Sequence, residues 1–516
     1  MKLTKHFDKH GGRSIQRTPN FDSGIIDEPL LAFGGQHKHV DPKTGLALYG
    51  PYSLIGQELS SVRSITVGIV GPASMIADAE VWLEACTGTI TNEGTQPFLY
   101  PHFPGFNNHE PFNCGLVFGD TWRESIKESA LKDALLPPEY SRRLTNVVKL
   151  YTAALEVLAG REPRPDVVLC CIPQTVIDTC TVRKVRPRPI KRKRDRKDRN
   201  QLGLFDVGLG IEGDEPEHQN LRRALKAEAM QFGLPTQLVW PRTLRLAGPT
   251  TGPRVQDPAT RAWNFVTALY HKAGGSPWRL AEIEPGVCFV GISFYREIAG
   301  DNPQMRTSMA QAFTAAGDGY VLRGHTFEWD EARQGKTPHL DRRLALSLLR
   351  DVIELYQRQN RGSLPSRIVL HKSSRFWDEE IAGFEEATQL VPRKDFVALG
   401  NRGLQFYRTG QYPALRGTYI KFSESDLLLY TSGYVPFLRT YPGARVPQPL
   451  EILEHFGDSP WDTVLREVLS LTKVNWNTAD FACSDPITIA FSRRVGQVLA
   501  EVGPHSKIRP EYRFYM

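Results

Sequence analysis

Along this chain, apolar residues spaced three and four apart alternate with short, unbroken apolar runs. The first pattern predicts amphipathic helices, and the second predicts strands buried on both faces. Residues 64–71 read as such a strand, followed by a helix over 74–86. Another helix, over 141–159, leads to a buried strand at 166–173 with the sequence Asp-Val-Val-Leu-Cys-Cys-Ile-Pro. This alternation predicts an α/β fold with a mostly parallel sheet, whose ligands sit beyond the carboxyl ends of the strands. A second block of the same kind begins after Pro285-Gly286. It has a central strand at 287–294, a helix over 339–359, a strand at 367–371 and a helix over 378–387. Two strands within 418–434 and helices over 462–471 and 487–502 follow. Residues 28–33 read as a strand, 37–51 as turns, and 512–516 as strand-like. Residues 1–27 are polar and aperiodic and read as a flexible tail.

Candidate chemistry concentrates between Asn220 and Gly275. Leu221, Leu225, Ala229 and Phe232 fall at helical spacing and predict a buried stripe. Arg222 and Lys226, four apart, share another face of that helix. Gly233 and Pro235 end it, and a short buried strand over 236–240 follows. A second helix, over 261–271, runs into Lys272-Ala273-Gly274-Gly275. Two helices around one strand bring Arg222, Lys226, Gln237 and Lys272 together. Three cations and one amide donor form a pocket for a dense anion, most simply a terminal phosphate. Each residue also has a plain structural reading. Arg222 and Arg223 fit a solvated helix face, Lys272 fits a cation against the negative end of its own helix, and Gln237 fits a backbone partner.

Charge and composition narrow the picture. A length of 516 residues allows two to four domains, and 41% hydrophobic content supports packed cores in most of them. A net charge of +7 leans toward polyanions. Basic residues crowd 183–199, and an acidic patch at Glu212, Asp214, Glu215 and Glu217 follows them. The run reads as a solvated loop or as a phosphate-contacting arm with salt-sensitive affinity. Seven scattered cysteines, none in a metal-type spacing, predict reduced thiols in a cytoplasm. No run approaches 18 apolar residues, which predicts no membrane span.

With these blocks in place, the sequence resembles a short prokaryotic Argonaute, built from a MID and a PIWI domain only. The resemblance runs from about Glu28 to Met516. It rests on Glu28-Pro29, Asp41-Pro42, Gly45-Leu46 and Gly50-Pro51; on His102-Phe103-Pro104-Gly105-Phe106; on Leu234-Pro235-Thr236-Gln237; on Lys272 through Trp278; and on Leu471-Thr472-Lys473-Val474-Asn475-Trp476-Asn477. It implies a Rossmann-like MID domain over 28–285, carrying a basic loop at 183–217, and an RNase H-like PIWI domain over 286–516. In the family the MID domain holds the 5′ phosphate of a guide strand. The resemblance places Arg222, Lys226, Thr236, Gln237 and Lys272 at that phosphate. Arg222 stands where many relatives have a base-stacking tyrosine. The C-terminal carboxylate of Met516 is implied to hold Mg²⁺ there together with Gln237.

Active relatives cut the target with two metals held by carboxylates. Here Ser293 follows Gly291-Ile292 at the first acid's place, Ser373 follows His371-Lys372 at the second, and Phe491 is matched to the last. A hydroxyl is a weak substitute and a phenyl ring coordinates nothing, so the chain is expected not to slice. Asp318 and Asp480 are the acids that a shifted alignment would bring in. The resemblance then implies one half of a bacterial immune pair. A guide RNA pairs with invader single-stranded DNA and activates a separate APAZ-containing effector with a TIR, sirtuin-like or nuclease domain. A higher oligomer on activation is a further implied possibility. Arg367, Lys372, Arg375 and Lys473 are candidate backbone contacts or plain surface charges. The competing readings are a stand-alone guided nuclease and a nucleic-acid binder without guide preference.

Overall fold

The computed structural model describes residues 21–52, 62–92, 94, 96–180, 220–246, 256–296, 305–312, 319–327, 337–400, 404–406, 413–423, 427–443, 445–502 and 508–516, and two short strands at 6–7 and 13–14. The basic loop expected at 183–217 and Asp318 lie outside the described residues.

Four strands of the first half run parallel in the order Thr236–Val239, Val167–Cys171, Ser64–Gly71, Gly115–Val117. The inner two are buried along almost their whole length, which is why they read as unbroken apolar runs. Helices Ala73–Thr87, Tyr140–Ala159, Leu221–Ala229 and Pro258–Lys272 complete this half. A nine-stranded mixed sheet forms the second half. At its centre Val287–Arg296 pairs in parallel with Arg367–Lys372, which pairs in parallel with Arg393–Gly400. Antiparallel strands extend both sides: Met305–Ala312 and Gly319–Phe327 on one, Leu450–Gly457, Leu427–Leu429 and Thr418–Lys421 on the other. The expected Rossmann-like and RNase H-like pair of α/β units is the observed architecture.

Helix Ile487–Leu499 lies across the central strand at very close range. Gly291 makes that approach feasible, because a Cβ there would strike the Thr488 carbonyl. One apolar core runs through both halves, from Ile65, Trp82 and Phe265 to Phe289, Trp476 and Val495. The Trp278 indole donates to the Lys473 carbonyl at 2.9 Å, and the Trp476 indole returns a bond to the Trp278 carbonyl at 3.1 Å.

Three local expectations change. Residues 37–51 contain a helix, Pro42–Tyr49, instead of turns alone. Asp41 caps it by accepting from the Thr44 amide at 2.8 Å, Pro42 occupies the first helical turn, and Gly45 leaves room for the Phe33 ring. The tail reading fails for Asp22–Ile25, which adds an antiparallel edge strand to Thr418–Lys421. Tyr512–Phe514 is a 3₁₀ turn, with its rings turned into the core, and not a strand.

Candidate nucleic-acid interface

The Leu221–Ala229 helix starts on Asn220, whose side chain accepts from the Arg222 amide at 3.0 Å. It stops at Gly233, which adopts a left-handed φ of 64°. Leu221, Leu225 and Ala229 are buried as their spacing requires. This packing turns Lys226 inward, to 2% exposure. Its Nζ donates to the Thr236 carbonyl at 3.1 Å. Lys272, the last residue of helix Pro258–Lys272, is 1% exposed and donates to the Gln237 side-chain oxygen. Asp257 caps the start of that helix and accepts from the Thr260 amide at 2.9 Å.

A cavity of about 130 Å³ opens between these elements. Arg222, Lys226, Gln237, Trp240, Asn264 and Met516 are among its lining residues. Lys272 reaches it through Gln237, and buried Thr236 supplies the carbonyl under Lys226. All six residues expected at a guide phosphate therefore meet in one place.

The electrostatics of this cup are unusual. Burial holds the Lys226 ammonium well below the ordinary lysine range, and the charges of Lys272 and Arg222 push it further down. Burial, with Arg222 beside it, lowers Lys272 to about 7. Among the described residues, no ion pair joins either lysine to a carboxylate. Asp480 also lines the cavity, with its carboxyl pushed up by burial. The cation that counters that push is Lys43, not either cup lysine. An entering dianion would supply the missing negative charge and bring both ammonium groups back toward their ordinary range.

Sequence reasoning missed several wall residues. Arg261, at 2% exposure, donates to the carbonyls of Gln256, Arg242 and Thr243 at 3.0, 3.0 and 2.7 Å, and so shapes the turn after Trp240. Asn264 accepts from the Ala479 amide at 2.9 Å and ties the loop carrying Asn477 and Asp480 to this wall. The one available signal was that a buried-stripe helix carrying Arg261 and Asn264 must satisfy their polar groups somewhere.

A second cavity, of about 640 Å³, lies at the carboxyl ends of the central strands of the larger sheet. The parallel register Gly291↔His371 and Ile292↔Lys372 ends one residue short of Ser293 on one strand and of Ser373 on the other. Ser373 lines this cleft. His371 Nδ1 lies 2.7 Å from the Thr488 hydroxyl, and burial depresses the ring to about 3, so it stands neutral. Phe491 is not part of the cleft. It is 1% exposed and meets Tyr512 edge-on in the core. Ile489 and Arg493, one turn apart, face the cleft instead. Asp485, paired with Arg493 at 3.0 Å, is the one acid among the described residues that line the cleft.

Three of the four cations expected at a nucleic-acid backbone or plain surface are neither. Arg367 is 1% exposed and bonds to Asp395 and Glu467 at 2.6 Å each. Lys372 bonds to Glu380 at 2.7 Å, and Lys473 to Glu28 at 2.8 Å, both out of solvent. Arg375 alone is exposed, and it pairs with Glu454 at 2.8 Å.

Together the two α/β units have the fold of solved Argonaute MID–PIWI regions. No protein-family model matches it. Among curated proteins it is similar to the Argonaute of Aquifex aeolicus, 24% identical over 280 residues, which is 53% of this chain and 35% of that one. The Argonaute of Thermus thermophilus is 25% identical over 254 residues, 49% of this chain and 33% of that one. The matched stretch thus spans about a third of the length of these curated relatives. Clostridium butyricum Argonaute, solved with a guide DNA and a 19-mer target DNA, superposes with a TM-score of 0.63 at 15% identity, covering 96% of this chain and 55% of that one. A. aeolicus Argonaute with externally bound siRNA gives 0.55 at 16% identity (96% and 56% covered), and Drosophila Piwi gives 0.54 at 12% (95% and 56%). Among the described residues, no helix is long and apolar enough to cross a membrane.

Proposed function

We propose that this chain holds the 5′ phosphate of a guide strand and presents the guide for pairing without cutting the paired target. The carrying observation is the cup itself: Lys226 and Lys272 are buried near Arg222, and among the described residues neither lysine has an ion-paired acid. Such an arrangement is costly when empty and is relieved by a dianion, which a terminal phosphate supplies and an internucleotide phosphate only half supplies. Arg222 offers a planar guanidinium for stacking or for phosphate. The solved relative bound to guide and target DNA supports the pairing role. The guide is proposed to be RNA and the target single-stranded DNA, as the resemblance implies.

Mg²⁺ at the guide phosphate belongs to the same reading. This ion takes few protein ligands and completes its shell with water and substrate phosphate. The Gln237 oxygen and the Asp480 carboxyl, one of whose oxygens is buried without a hydrogen-bond partner, line the cavity and are hard oxygen donors that fit it. When bound, the ion would offset the negative charge gathered at the guide phosphate.

The absence of cutting rests on donor chemistry. Ser293 and Ser373 are the residues that the resemblance matches to carboxylates of two-metal chemistry, a hydroxyl is a weak substitute, and the cleft's Asp485 is engaged by Arg493. Output then requires another chain, proposed to be an APAZ-containing effector with a TIR, sirtuin-like or nuclease domain. The proposed setting is bacterial immunity in the cytoplasm, with assembly into a higher oligomer on activation.

Protein purified from cells should carry short 5′-phosphorylated RNA. Lys226→Ala or Lys272→Ala should empty it, and a 5′-hydroxyl guide should bind at least tenfold more weakly than its phosphorylated twin. Equal affinity for the two ends would favour a guide-independent nucleic-acid binder. Mg²⁺-dependent scission of a matched target by this chain alone would establish a stand-alone nuclease. Co-expression with the effector should return a complex whose enzymatic activity rises on adding complementary single-stranded DNA.

A further inference from the structure

Helix Leu221–Ala229 carries two of the cup's cations, yet its first turn is fastened from the other half of the molecule. Asn220 is the anchor. Its side chain accepts from the Arg222 amide at 3.0 Å, and its carbonyl accepts from the Ala224 amide at 2.9 Å. Its own amide donates to Glu501 Oε1 at 2.9 Å, across 281 residues of chain. Glu501 lies just past helix Ile487–Leu499, where the Ala500, Glu501 and Val502 amides bond back to Gly496, Val498 and Leu499 at 2.9, 3.1 and 3.1 Å. Packing alone does not account for an acid at this place. Ala500 and Val502 on either side are buried and apolar, and Glu501 itself is 9% exposed. Burial pushes its carboxyl up to about 7, against the pull of the Asn220 amide and the Arg223 charge. Both opposing groups belong to the start of the cup helix, whose positive end favours an acid. The same Ile487–Leu499 helix lines the cleft through Ile489 and Arg493. One rod therefore runs from the larger sheet to the cup.

We propose that Glu501 is a positioning residue for the guide phosphate: through Asn220 it holds the first turn of the cup helix and so aims Arg222 into the cup. Arg222 stands two residues beyond Asn220 and lines the cavity. Its charge reaches both Lys226 and Lys272, so a small turn of the helix start changes the field that an entering phosphate meets. Lys226 is held independently, by the Thr236 carbonyl, which leaves Arg222 as the cation most dependent on the anchor. Glu501 touches no phosphate itself. The inference rests on the guide-phosphate reading, because it assigns a support to that same cup.

The test uses the full chain and two synthetic RNA guides that differ only in a 5′ phosphate or a 5′ hydroxyl. Glu501→Met keeps the side-chain length and removes the acceptor. It should cut the preference for the phosphorylated guide about fivefold and leave affinity for the hydroxyl guide within about twofold of the parent. Glu501→Gln keeps an acceptor oxygen in the same place and should restore the parent preference. In an Arg222→Gln background Glu501→Met should lose its effect, because the group it aims is gone. Hydrogen exchange in Glu501→Met should rise at residues 220–223 and stay at the parent level in strand Val287–Arg296. Parent-like preference in Glu501→Met would overturn the assignment. Equal weakening of both guides, or faster exchange in the central strand, would also overturn it, since either marks a plain structural support. A parent protein that binds both guides equally would sink the phosphate reading itself, whatever the variants do.

Discussion

Two sets of buried cations divide this molecule. In the first half Lys226 lines a cavity, and Lys272 stands behind Gln237 near enough to depress the Lys226 charge. Arg367, Lys372 and Lys473 in the second half are equally hidden, and each has a carboxylate within bonding distance. The electrostatic difference is clearest at Arg367. Burial works against the Arg367 charge, but the bonds to Glu467 and Asp395 outweigh it and hold the guanidinium above its ordinary value. Burial lowers Lys473 to about 8 even with Glu28 resisting, whereas Lys272 falls to about 7. A buried cation with its acid is a strut. A buried cation without one is a socket for an anion that arrives later.

The contrast breaks most visibly at Arg367. Removing the guanidinium strands Asp395, which is 0% exposed, and Glu467. Arg367→Ala should cost about 3–5 kcal/mol of folding free energy in urea denaturation, with any loss of guide binding following only from unfolding. A loss under about 1 kcal/mol would erase the distinction between struts and sockets.

At Lys272 the expected signs reverse. Lys272→Met removes a charge that has no ion-paired acid, so the empty protein should gain about 1–3 kcal/mol at pH 7. The same variant should lose at least tenfold in affinity for a 5′-phosphorylated strand. Stability and function then move in opposite directions, which no strut variant can reproduce.

The pH response sharpens the same point. Lys272 has a folded pKa lowered to about 7, against about 10.4 for an unfolded lysine. Between those values the unfolded chain carries a proton that the folded one lacks, so stability rises with pH. Below about 7 both states are protonated and the contribution is flat. The empty parent, measured against Lys272→Met, should therefore gain up to about 1.4 kcal/mol per pH unit above pH 7. A bound 5′-phosphorylated oligonucleotide should flatten that slope by keeping the lysine charged.

The socket was far more legible in the sequence than the struts. Arg222, Lys226, Gln237 and Lys272 lie within about fifty residues, on two helices and one strand whose periods and caps are plain. Local geometry was enough to bring them together. The acids that claim Arg367 stand 28 and 100 residues away, and Glu28 lies 445 residues from Lys473. No periodicity encodes such pairings, so these cations read as free surface charges. Phe491 was misplaced for a related reason. Matching residues one to one ignored helical phase, which turns 489 and 493 to the cleft and 491 to Tyr512. The Pro42–Tyr49 helix hid behind Asp-Pro and an internal Gly, signs of a turn that also serve as a helix start and a seat for Phe33. Met305–Ala312 and Leu450–Gly457 went unread because their polar and small residues break the alternation expected of strands.

The smallest expected effect is the control for all the others. Arg375 carries the same charge as Arg367 and has a nearly as short ion pair, to Glu454 at 2.8 Å, but its side chain is 51% exposed. Water already solvates both partners, so the pair gains little when formed and leaves little unpaid when broken. Arg375→Ala should shift folding free energy by less than about 1 kcal/mol, and high salt should shrink the shift further. The Arg367 cost should persist in the same salt, because its partners are screened from solvent ions. If Arg375→Ala instead matched Arg367→Ala, ion-pair geometry and not burial would set the energetics. The division between struts and sockets would then have to be redrawn from bond lengths alone.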